Sequence, residues 1–458
     1  MNSVLHRNLR HSLPTASKGE GVYLKDSEGK LYIDASGGAG VSSLGHRSAV
    51  VNNAIWQQLN QLECAHTSFF TNSPCESLAS RLVERAPTDF GQGRVIFINS
   101  GSEAMEVALK LARQFHVERG ELTRTHFISR RQSYHGNTLG ALAVSGNLRR
   151  RQIYQPMLMP TSQIAPCYAY RHQHSNESEV AYAQRCALDL ETEINHLGAE
   201  NVAAFIAEPV SGATLGCATA PQTYFAEIRR ICDRYGVLMI ADEVMCGMGR
   251  TGHWFAMSGE VDIEDSSSAT NPVCPDIITL AKGLGAGYQP IAATMASEKV
   301  VSVIEKGSGQ LANGHTYMSH AVACAAALAV VDEITQRDLL HEVNVMGRYI
   351  QALLAATFAE HPYVGDIRGR GLFWGIELVK DKVTKVPFAA ELQIAPMIKQ
   401  VAMQNGLICY PAQGCVDGIA GDHILLAPPF IINTEQINEV VDKLQISLKA
   451  CLVNKNLM

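Results

Sequence analysis

Four short apolar runs in the middle of the chain predict buried strands. They are Arg94–Asn99 (RVIFIN), Ala203–Ala207 (AAFIA), Val237–Ala241 (VLMIA) and Ile277–Ala281 (IITLA). Each run is too short for a helix and is apolar on both faces, which is typical of parallel strands covered on both sides. Stretches with helical spacing lie between them, such as Pro221–Tyr235, which Gly236 is placed to end. Strands that alternate with helices predict an α/β fold with a mostly parallel sheet.

The flanking regions predict further units. Residues 21–34 (GVYLKDSEGKLYID) have the pattern of a hairpin that turns at Ser27–Gly29, and an Ala-rich helix is expected from about His320 to Thr335. The polar stretches Arg171–Val180 and Asp262–Asn271 are expected to be surface insertions. We therefore expect three parts, which are an N-terminal segment packed with a small domain (1–55), a large domain (56–325) and a C-terminal small α/β domain (326–458).

Composition limits the class of protein. Of the 458 residues, 47% are apolar and 18% are charged, which is globular composition rather than that of a disordered chain. A net charge of −6 argues against broad binding to nucleic acid or to acidic membranes. The N-terminus has no apolar signal region and no apolar run is long enough to span a bilayer, so a cytoplasmic protein is expected. The 12 cysteines contain no CxxC pair, so we expect reduced thiols and no metal site.

Polar residues follow each of the four predicted strands. These are Ser100-Gly101-Ser102 after the first, then Glu208, Asp242 and Lys282. Because ligands of open α/β sheets bind outside the carboxyl ends of the strands, we expect these groups to face one site. Singly, each residue has an ordinary explanation: a serine that caps a helix with Glu103, a local ion pair, or a lysine that reaches to solvent.

Lys282 carries the most information of these residues. It is the only lysine between Lys110 and Lys299, and it directly follows an apolar run. Burial there would favour the neutral amine, which can form a Schiff base. Ser100–Ser102 at a helix start suit a phosphate, Tyr134 can stack on a flat ring, and Asp242 can hold a pyridine nitrogen protonated. Together these groups meet the requirements of pyridoxal 5'-phosphate.

The same residues lie in motifs of a known family. The motifs are NSGSEAMEVALKLAR (99–113), SYHGNTLGAL (133–142), IAEPV (206–210), IADEVMCGMGRTG (240–252), PDIITLAKGLGAGYQPI (275–291), GHTYMSHAVACAAALA (314–329) and RGRGLFWGIEL (368–378). From about Gly21 to Lys443 the chain resembles the class III pyridoxal-phosphate-dependent aminotransferases. The resemblance implies the fold type I of PLP-dependent transferases, an α/β fold in which a large domain with a mostly parallel sheet joins a smaller α/β domain.

The resemblance also implies a role for each matching residue. Lys282 would form the Schiff base with the cofactor and then shuttle a proton, and Asp242 would pair with the ring nitrogen. The remaining cofactor-binding residues would be Gly101 and Ser102 at the phosphate, Tyr134 and Val244 on the two ring faces, His135 and Glu208 beside the ring, and Thr316 at the phosphate of the neighbouring subunit. The family thus implies a homodimer with shared active sites, and a tetramer is left open.

The implied reaction is ping-pong transfer of an amino group from an amine or ω-amino acid to a keto acid, pyruvate or 2-oxoglutarate. Relatives acting on ornithine or 4-aminobutyrate carry an arginine where this chain has Leu425 and a glutamate where it has Ala213. No arginine follows Arg370, so the stretch 411–423 also lacks the mobile arginine that many ω-aminotransferases carry there. Taken together, the absences fit an ω-aminotransferase-like enzyme better than one acting on α-amino acids. The acceptor carboxylate is then left to His423, Arg171 or backbone donors, while Gly38, Phe69, Phe70 and Trp56 are candidates to contact the substrate.

Two alternatives stay open from the sequence. One is another PLP reaction on the same scaffold, namely that of an aminomutase, racemase or decarboxylase, because the cofactor residues do not separate these activities. The other is a non-catalytic protein that binds PLP. The presence of Lys282, Asp242 and Thr316 together argues against the second, since an inactive member should have lost at least one of them.

Overall fold

The computed structural model describes residues 3–10, 12–260, 273–455 and 457, so the polar stretch Asp262–Asn271 lies outside the described residues. The strands of the described chain are β1 (Ala16–Glu20), β2 (Tyr23–Asp26), β3 (Leu31–Asp34), β4 (Arg94–Ile98), β5 (His126–Arg130), β6 (Ser162–Ile164), β7 (Val202–Ala207), β8 (Val210–Ser211), β9 (Ala218–Thr219), β10 (Leu238–Asp242), β11 (Ile277–Leu280), β12 (Ala292–Ala296), β13 (Val364–Arg370), β14 (Phe373–Leu378), β15 (Leu407–Ile408), β16 (Tyr410–Gln413) and β17 (Asp422–Leu426).

The helices pack around these strands. They are α1 (Gly37–Gly40), α2 (Ala49–Leu59), α3 (Ser73–Val83), α4 (Gly101–Glu118), α5 (Leu139–Val144), α6 (Leu148–Arg151), α7 (Ala169–His172), α8 (Glu179–Leu197), α9 (Tyr224–Tyr235), α10 (Glu298–Lys306), α11 (Ala321–Gln336), α12 (Leu339–Phe358), α13 (Ile394–Gln404) and α14 (Thr434–Asn454). Short 3-10 turns lie at Thr88–Phe90, Gln152–Met157, Ala199–Asn201, Ala256–Gly259, Lys282–Leu284 and Ala390–Leu392.

The four predicted strands lie in one seven-stranded sheet of order β4-β12-β11-β10-β7-β5-β6. Strand β12 runs antiparallel to both of its neighbours, and the other pairs are parallel. Strands β7, β10 and β11 are buried along their whole length, as runs that are apolar on both faces require. The mostly parallel α/β sheet expected from the sequence is confirmed, and β10 extends one residue further than expected, so that Asp242 is its last residue.

The helix after β4 begins as the sequence predicts, with one difference. The Ser100 hydroxyl accepts a hydrogen bond from the Glu103 N–H at 3.3 Å and caps α4. The Glu103 carboxylate, however, accepts from the backbone N–H of Asn99 at 2.8 Å rather than from that of Ser100. Helix α9 starts three residues later than predicted and ends at Gly236, whose φ of +64° is the left-handed conformation that favours glycine.

Two four-stranded sheets lie outside the large sheet. The predicted hairpin is present, because β2 and β3 pair antiparallel across residues 27–30, and β3 also pairs in parallel with the distant β15. The second sheet has the order β13-β14-β17-β16. Helix α11 contributes buried side chains to the cores on both of its sides, which joins the two regions. The domain boundaries at 55 and 325 stay predictions.

The stretch Arg171–Val180 is not simply an exposed insertion, so this expectation is wrong at its start. Arg171 lies in α7 with a side chain only 9% exposed, and its Nε donates to the Glu377 carboxylate at 2.7 Å. Arg368 bonds the other oxygen of the same carboxylate at 2.8 Å. Two guanidinium groups on one buried carboxylate satisfy the charge and anchor this segment to β14.

Candidate active site

The carboxyl ends of the central strands meet at one cavity of about 520 Å³. Strand β10 ends at Asp242, β7 is followed by Glu208, β11 by Lys282, and β4 by the start of α4. This is the edge at which ligands of open α/β sheets bind. Eight of the nine cofactor residues proposed from the sequence line the cavity: Gly101, Ser102, Tyr134, His135, Glu208, Asp242, Val244 and Lys282.

Lys282 stands at the floor of this cavity. It follows β11 with a φ of +45°, a backbone conformation that costs a residue with a side chain about 1–3 kcal/mol. Burial lowers the pKa of its amine to about 8, although the nearby carboxylates of Asp242 and Glu208 act in the opposite direction. The ammonium makes no hydrogen bond or ion pair with any residue that the structure describes. The amine therefore lines the cavity without a described partner and loses its proton more easily than an ordinary lysine does.

Three polar contacts fix the carboxylate of Asp242. Its Oδ2 lies 2.7 Å from Nδ1 of His135, and its Oδ1 accepts from the Val244 N–H at 3.1 Å and from the Thr279 hydroxyl at 3.3 Å. The carboxylate is 3% exposed and the His135 ring is fully buried. A carboxylate that is bonded in this way keeps one orientation and can hold a cationic ring nitrogen.

Glu208 ties the loop that carries Tyr134 to the end of β7. Its Oε1 accepts from the Tyr134 N–H and its Oε2 from the Gly212 N–H, each at 3.1 Å. Burial raises the pKa of this carboxyl, and the neighbouring Asp242 raises it further. These contacts hold the loop of Tyr134 against the chain that follows β7, and the role of Glu208 toward a cofactor stays a prediction.

The start of α4 forms the anion-binding side of the cavity. The first N–H groups of a helix have no partner within the helix, and they carry its positive partial charge. A Cβ on Gly101 would lie 2.9 Å from Cγ1 of Val244, so only glycine permits this close approach. The Ser102 hydroxyl accepts from the Asn137 N–H at 2.9 Å, which fixes the next loop against the helix start.

These residues fit pyridoxal 5'-phosphate. The cavity has the size usual for small-molecule sites, and α4 supplies donors for a phosphate at one side. Tyr134 and Val244 line the space where a flat ring would lie, Asp242 offers a carboxylate for its nitrogen, and Lys282 an unpaired amine. The buried Nε2 of His135 also has no hydrogen-bond partner among the described residues.

Several substrate candidates lie elsewhere. Phe69 and Phe70 are 79% and 68% exposed, and Trp56 is 66% exposed, so none of them lines the cavity within this chain. Gly38 is exposed on the loop at α1, from which Val41 reaches the cavity instead. Thr316 is exposed as well and lies outside the cavity.

The two candidates for the acceptor carboxylate are engaged in the fold. Arg171 is held by Glu377, as described above, and His423 is completely buried in β17. His423 lies 3.2 Å, through Nε2, from the Ala213 carbonyl, and burial lowers its pKa to about 3. A neutral, buried imidazole supplies no charge to a substrate carboxylate. Neither residue lines the cavity, so the structure does not support the expectation that they bind the acceptor.

Sequence reasoning missed other residues that line the cavity. They include Val41, Asn99, Met245, Gln289, Pro290 and Ile291. Three of these lie in the turn between β11 and β12, which brings the chain back over the sheet edge. The motif of residues 275–291 could have indicated the last three, because its final residues follow Lys282 by fewer than ten positions and can lie in the same site.

Comparisons with known proteins agree with this geometry. A family model for class III aminotransferases matches residues 4–448. An uncharacterized aminotransferase of Schizosaccharomyces pombe is 43% identical over 97% of this chain and 94% of its own length, and a probable gamma-aminobutyrate transaminase 3 of Oryza sativa subsp. indica is 34% identical over 94% and 81%. A solved omega transaminase of Pseudomonas jessenii in complex with PMP superposes with a TM-score of 0.89 at 32% identity, covering 100% of this chain and 98% of its own.

Among the described residues, no helix combines the length and apolar character that a bilayer crossing requires. All twelve cysteines are free of disulfides, and ten of them are buried.

Proposed function

The chain belongs to the class III aminotransferases and is a PLP-dependent transaminase of fold type I, and from this premise we propose the role of each residue at the strand ends. Bound pyridoxal phosphate supplies the electron sink that makes a Cα–H bond of the substrate acidic. Lys282 attaches the cofactor and carries the proton at its Nζ. Gly101 and Ser102 hold the phosphate, and Tyr134 and Val244 fix the ring plane.

The observation that carries this proposal is the buried amine that faces a bonded carboxylate. The pKa of Lys282 is lowered to about 8, so an appreciable fraction of its amine is neutral near pH 7 and can accept a proton. Asp242 stays oriented through His135, Thr279 and the Val244 N–H. These groups would keep a positive charge on the ring nitrogen of bound pyridoxal phosphate, so that the ring could act as an electron sink.

For the donor we propose an amine or ω-amino acid. Support comes from the cavity lining, which contains Lys282 as its one cationic side chain among the described residues. Ala213 lines the cavity where relatives that act on ornithine or 4-aminobutyrate carry a glutamate, and Leu425 is completely buried in β17. No residue in the described lining of this cavity therefore offers a guanidinium to a carboxylate of the donor.

We further propose a homodimer with shared active sites. The exposed apolar side chains of Trp56, Phe69, Phe70 and Tyr317 support it, because large apolar groups left at a surface mark contact sites. Thr316 lies beside Tyr317 on the same exposed segment, as expected of a residue that reaches a partner's cofactor. The free thiols fit a reducing, cytoplasmic location.

A panel of amine donors, assayed against pyruvate and against 2-oxoglutarate, tests the proposed reaction. We expect the amino group to be transferred only when a keto acid is present. The products should be the carbonyl compound formed from the donor and the amino acid formed from the keto acid. Turnover of an amino acid without any keto acid would contradict the proposal, because it would indicate a racemase, mutase or decarboxylase. Analytical ultracentrifugation of the wild type tests the dimer, and sedimentation as a monomer would contradict it. The Phe69→Asp and Phe70→Asp variants test the contact, and unchanged sedimentation of a dimer would place these side chains outside it.

A further inference from the structure

Three consecutive arginines at the end of α6 have three different surroundings. Arg151 is buried and donates to the Ser145 carbonyl at 2.9 Å, and Arg149 donates to the Gln413 side chain at 3.1 Å. The guanidinium of Arg150 lies over the ring of Tyr134, with its carbon 4.2 Å from the ring centroid. A planar guanidinium stacked on an aromatic ring is held in place while its N–H groups stay free at the edges.

Arg150 has no carboxylate partner among the residues that the structure describes. Its side chain is partly exposed and makes no hydrogen bond to a described residue, so the tyrosine ring is its main contact. Its charge nevertheless acts on the site, because it is one of the causes that lower the pKa of Lys282. Arg150 is therefore a cation without a described carboxylate partner, stacked on a tyrosine that lines the cavity containing Lys282.

A second, larger cavity of about 1320 Å³ adjoins the first. It shares Ala213 with the first cavity, and Arg150 lines it. The other cationic side chains in its lining are Arg7, Lys30, Arg149 and Lys399, and no acidic residue occurs in the described lining. A cleft lined by one sign of charge raises the local concentration of oppositely charged substrates and speeds their arrival.

We propose that Arg150 is the residue that binds the carboxylate of the keto acid acceptor, at the junction of the two cavities. The inference rests on the proposed function and adds the specificity residue that the sequence left unassigned. Arg171 and His423 cannot take this role, since one is held by Glu377 and the other is buried and neutral. The fork of a guanidinium matches a carboxylate with two parallel hydrogen bonds, which an ammonium or a backbone donor does not provide.

The purified holoenzyme with the substitution Arg150→Gln tests this proposal. We expect the KM of the variant for pyruvate or 2-oxoglutarate to rise about 10- to 100-fold, the effect of losing a charge-assisted pair of hydrogen bonds. The KM for an amine that carries no carboxylate should rise far less. A larger rise in the keto acid KM than in the amine KM therefore identifies a role in carboxylate binding. Arg150→Lys should lie between the wild type and Arg150→Gln, because it keeps the charge and loses the fork.

Arg149→Gln is the matched control, since it removes one charge from the same helix at a side chain that is bonded to Gln413. Its keto acid KM should change by less than about threefold. A second readout is the dissociation constant of succinate, a carboxylate that does not react, measured by calorimetry on the same proteins. Succinate should bind Arg150→Gln about tenfold or more weakly.

The outcomes separate the two proposals. If the wild type transfers amino groups but Arg150→Gln keeps the wild-type KM and succinate affinity, the role of Arg150 is wrong and the proposed function stands. An equal rise of the keto acid KM in Arg149→Gln would also overturn the role of Arg150, because the loss of any positive charge on this helix would then explain the effect. If the wild type uses no keto acid at all, the proposed function fails, and this inference with it.

Discussion

The Nδ1 atom of His135 lies 2.7 Å from Oδ2 of Asp242, and both side chains are buried at the floor of the cavity. His135 reaches this place from the loop after β5, whereas Asp242 is the last residue of β10. The pair therefore joins a loop to the central sheet at the position where a ring nitrogen is expected. We infer that His135 positions the carboxylate on which the chemistry of the site depends.

The substitution Asp242→Asn tests this role. It keeps the shape of the side chain and removes the charge that holds the ring nitrogen protonated, so we expect kcat to fall by about 100-fold or more. Glu243→Gln is the matched control, because Glu243 is the next residue and accepts from the N–H groups of Ala256 and Met257, away from the cavity. Steady-state kinetics in which both variants lose the same activity would speak against a special role for Asp242.

The lowered pKa of Lys282 predicts the pH dependence of cofactor capture. The amine reacts only when neutral, and with a pKa of about 8 roughly a tenth of it is neutral at pH 7, against about three in ten thousand for an ordinary lysine of pKa 10.5. The rate at which the apoprotein binds the cofactor covalently should rise about tenfold per pH unit below 8 and level off above it. A rate that still climbs at pH 10 would show that Lys282 has an ordinary pKa.

Gly101 predicts a steric effect on cofactor binding. A Cβ at this position would lie 2.9 Å from Cγ1 of Val244, closer than side-chain carbons approach, so Gly101→Ala should displace Val244 and weaken cofactor affinity by about tenfold. The double variant Gly101→Ala/Val244→Ala removes the methyl groups that clash and should recover part of the loss. Affinities that are simply additive over the four proteins would mean that the two residues do not meet.

Much of this site follows from local sequence pattern. Runs such as VLMIA and IITLA are apolar on both faces, so they predict buried parallel strands, and the polar residues after them must then share one edge of the sheet. Four strands of the seven-stranded sheet and the grouping of Lys282, Asp242 and Glu208 around one cavity follow from that step, whereas β5, β6 and the antiparallel β12 were not predicted.

What the pattern did not predict depends on contacts distant in sequence. Arg171 looked like a loop residue because its partner Glu377 is 206 positions away, and His423 gave no sign that β17 would bury it. Arg150 stood in a run of three arginines whose separate surroundings only the packed fold distinguishes. The sequence excludes an arginine after position 370, yet it does not show which earlier arginine stacks on Tyr134.

Arg171 is predicted to matter for stability and not for substrate binding. Arg171→Met leaves the buried carboxylate of Glu377 with Arg368 as its remaining ion-pair partner among the described residues, which should lower the free energy of unfolding by about 3 kcal/mol. The control Arg185→Met breaks the exposed pair with Glu177 and should cost less than about 1 kcal/mol. Urea unfolding measures both, and a raised keto acid KM in Arg171→Met at unchanged stability would restore the residue as a substrate ligand.

The most direct measurement is the site of covalent attachment. The holoenzyme is reduced with borohydride, digested and mapped by mass spectrometry, beside the variants Lys282→Ala and Lys299→Ala, the latter a lysine that pairs with Asp276 outside the cavity. We predict that the reduced cofactor is found on Lys282 alone in the wild type and in Lys299→Ala, and that Lys282→Ala carries no covalent cofactor. Attachment to another lysine in the wild type, or a label that survives in Lys282→Ala, would contradict the account.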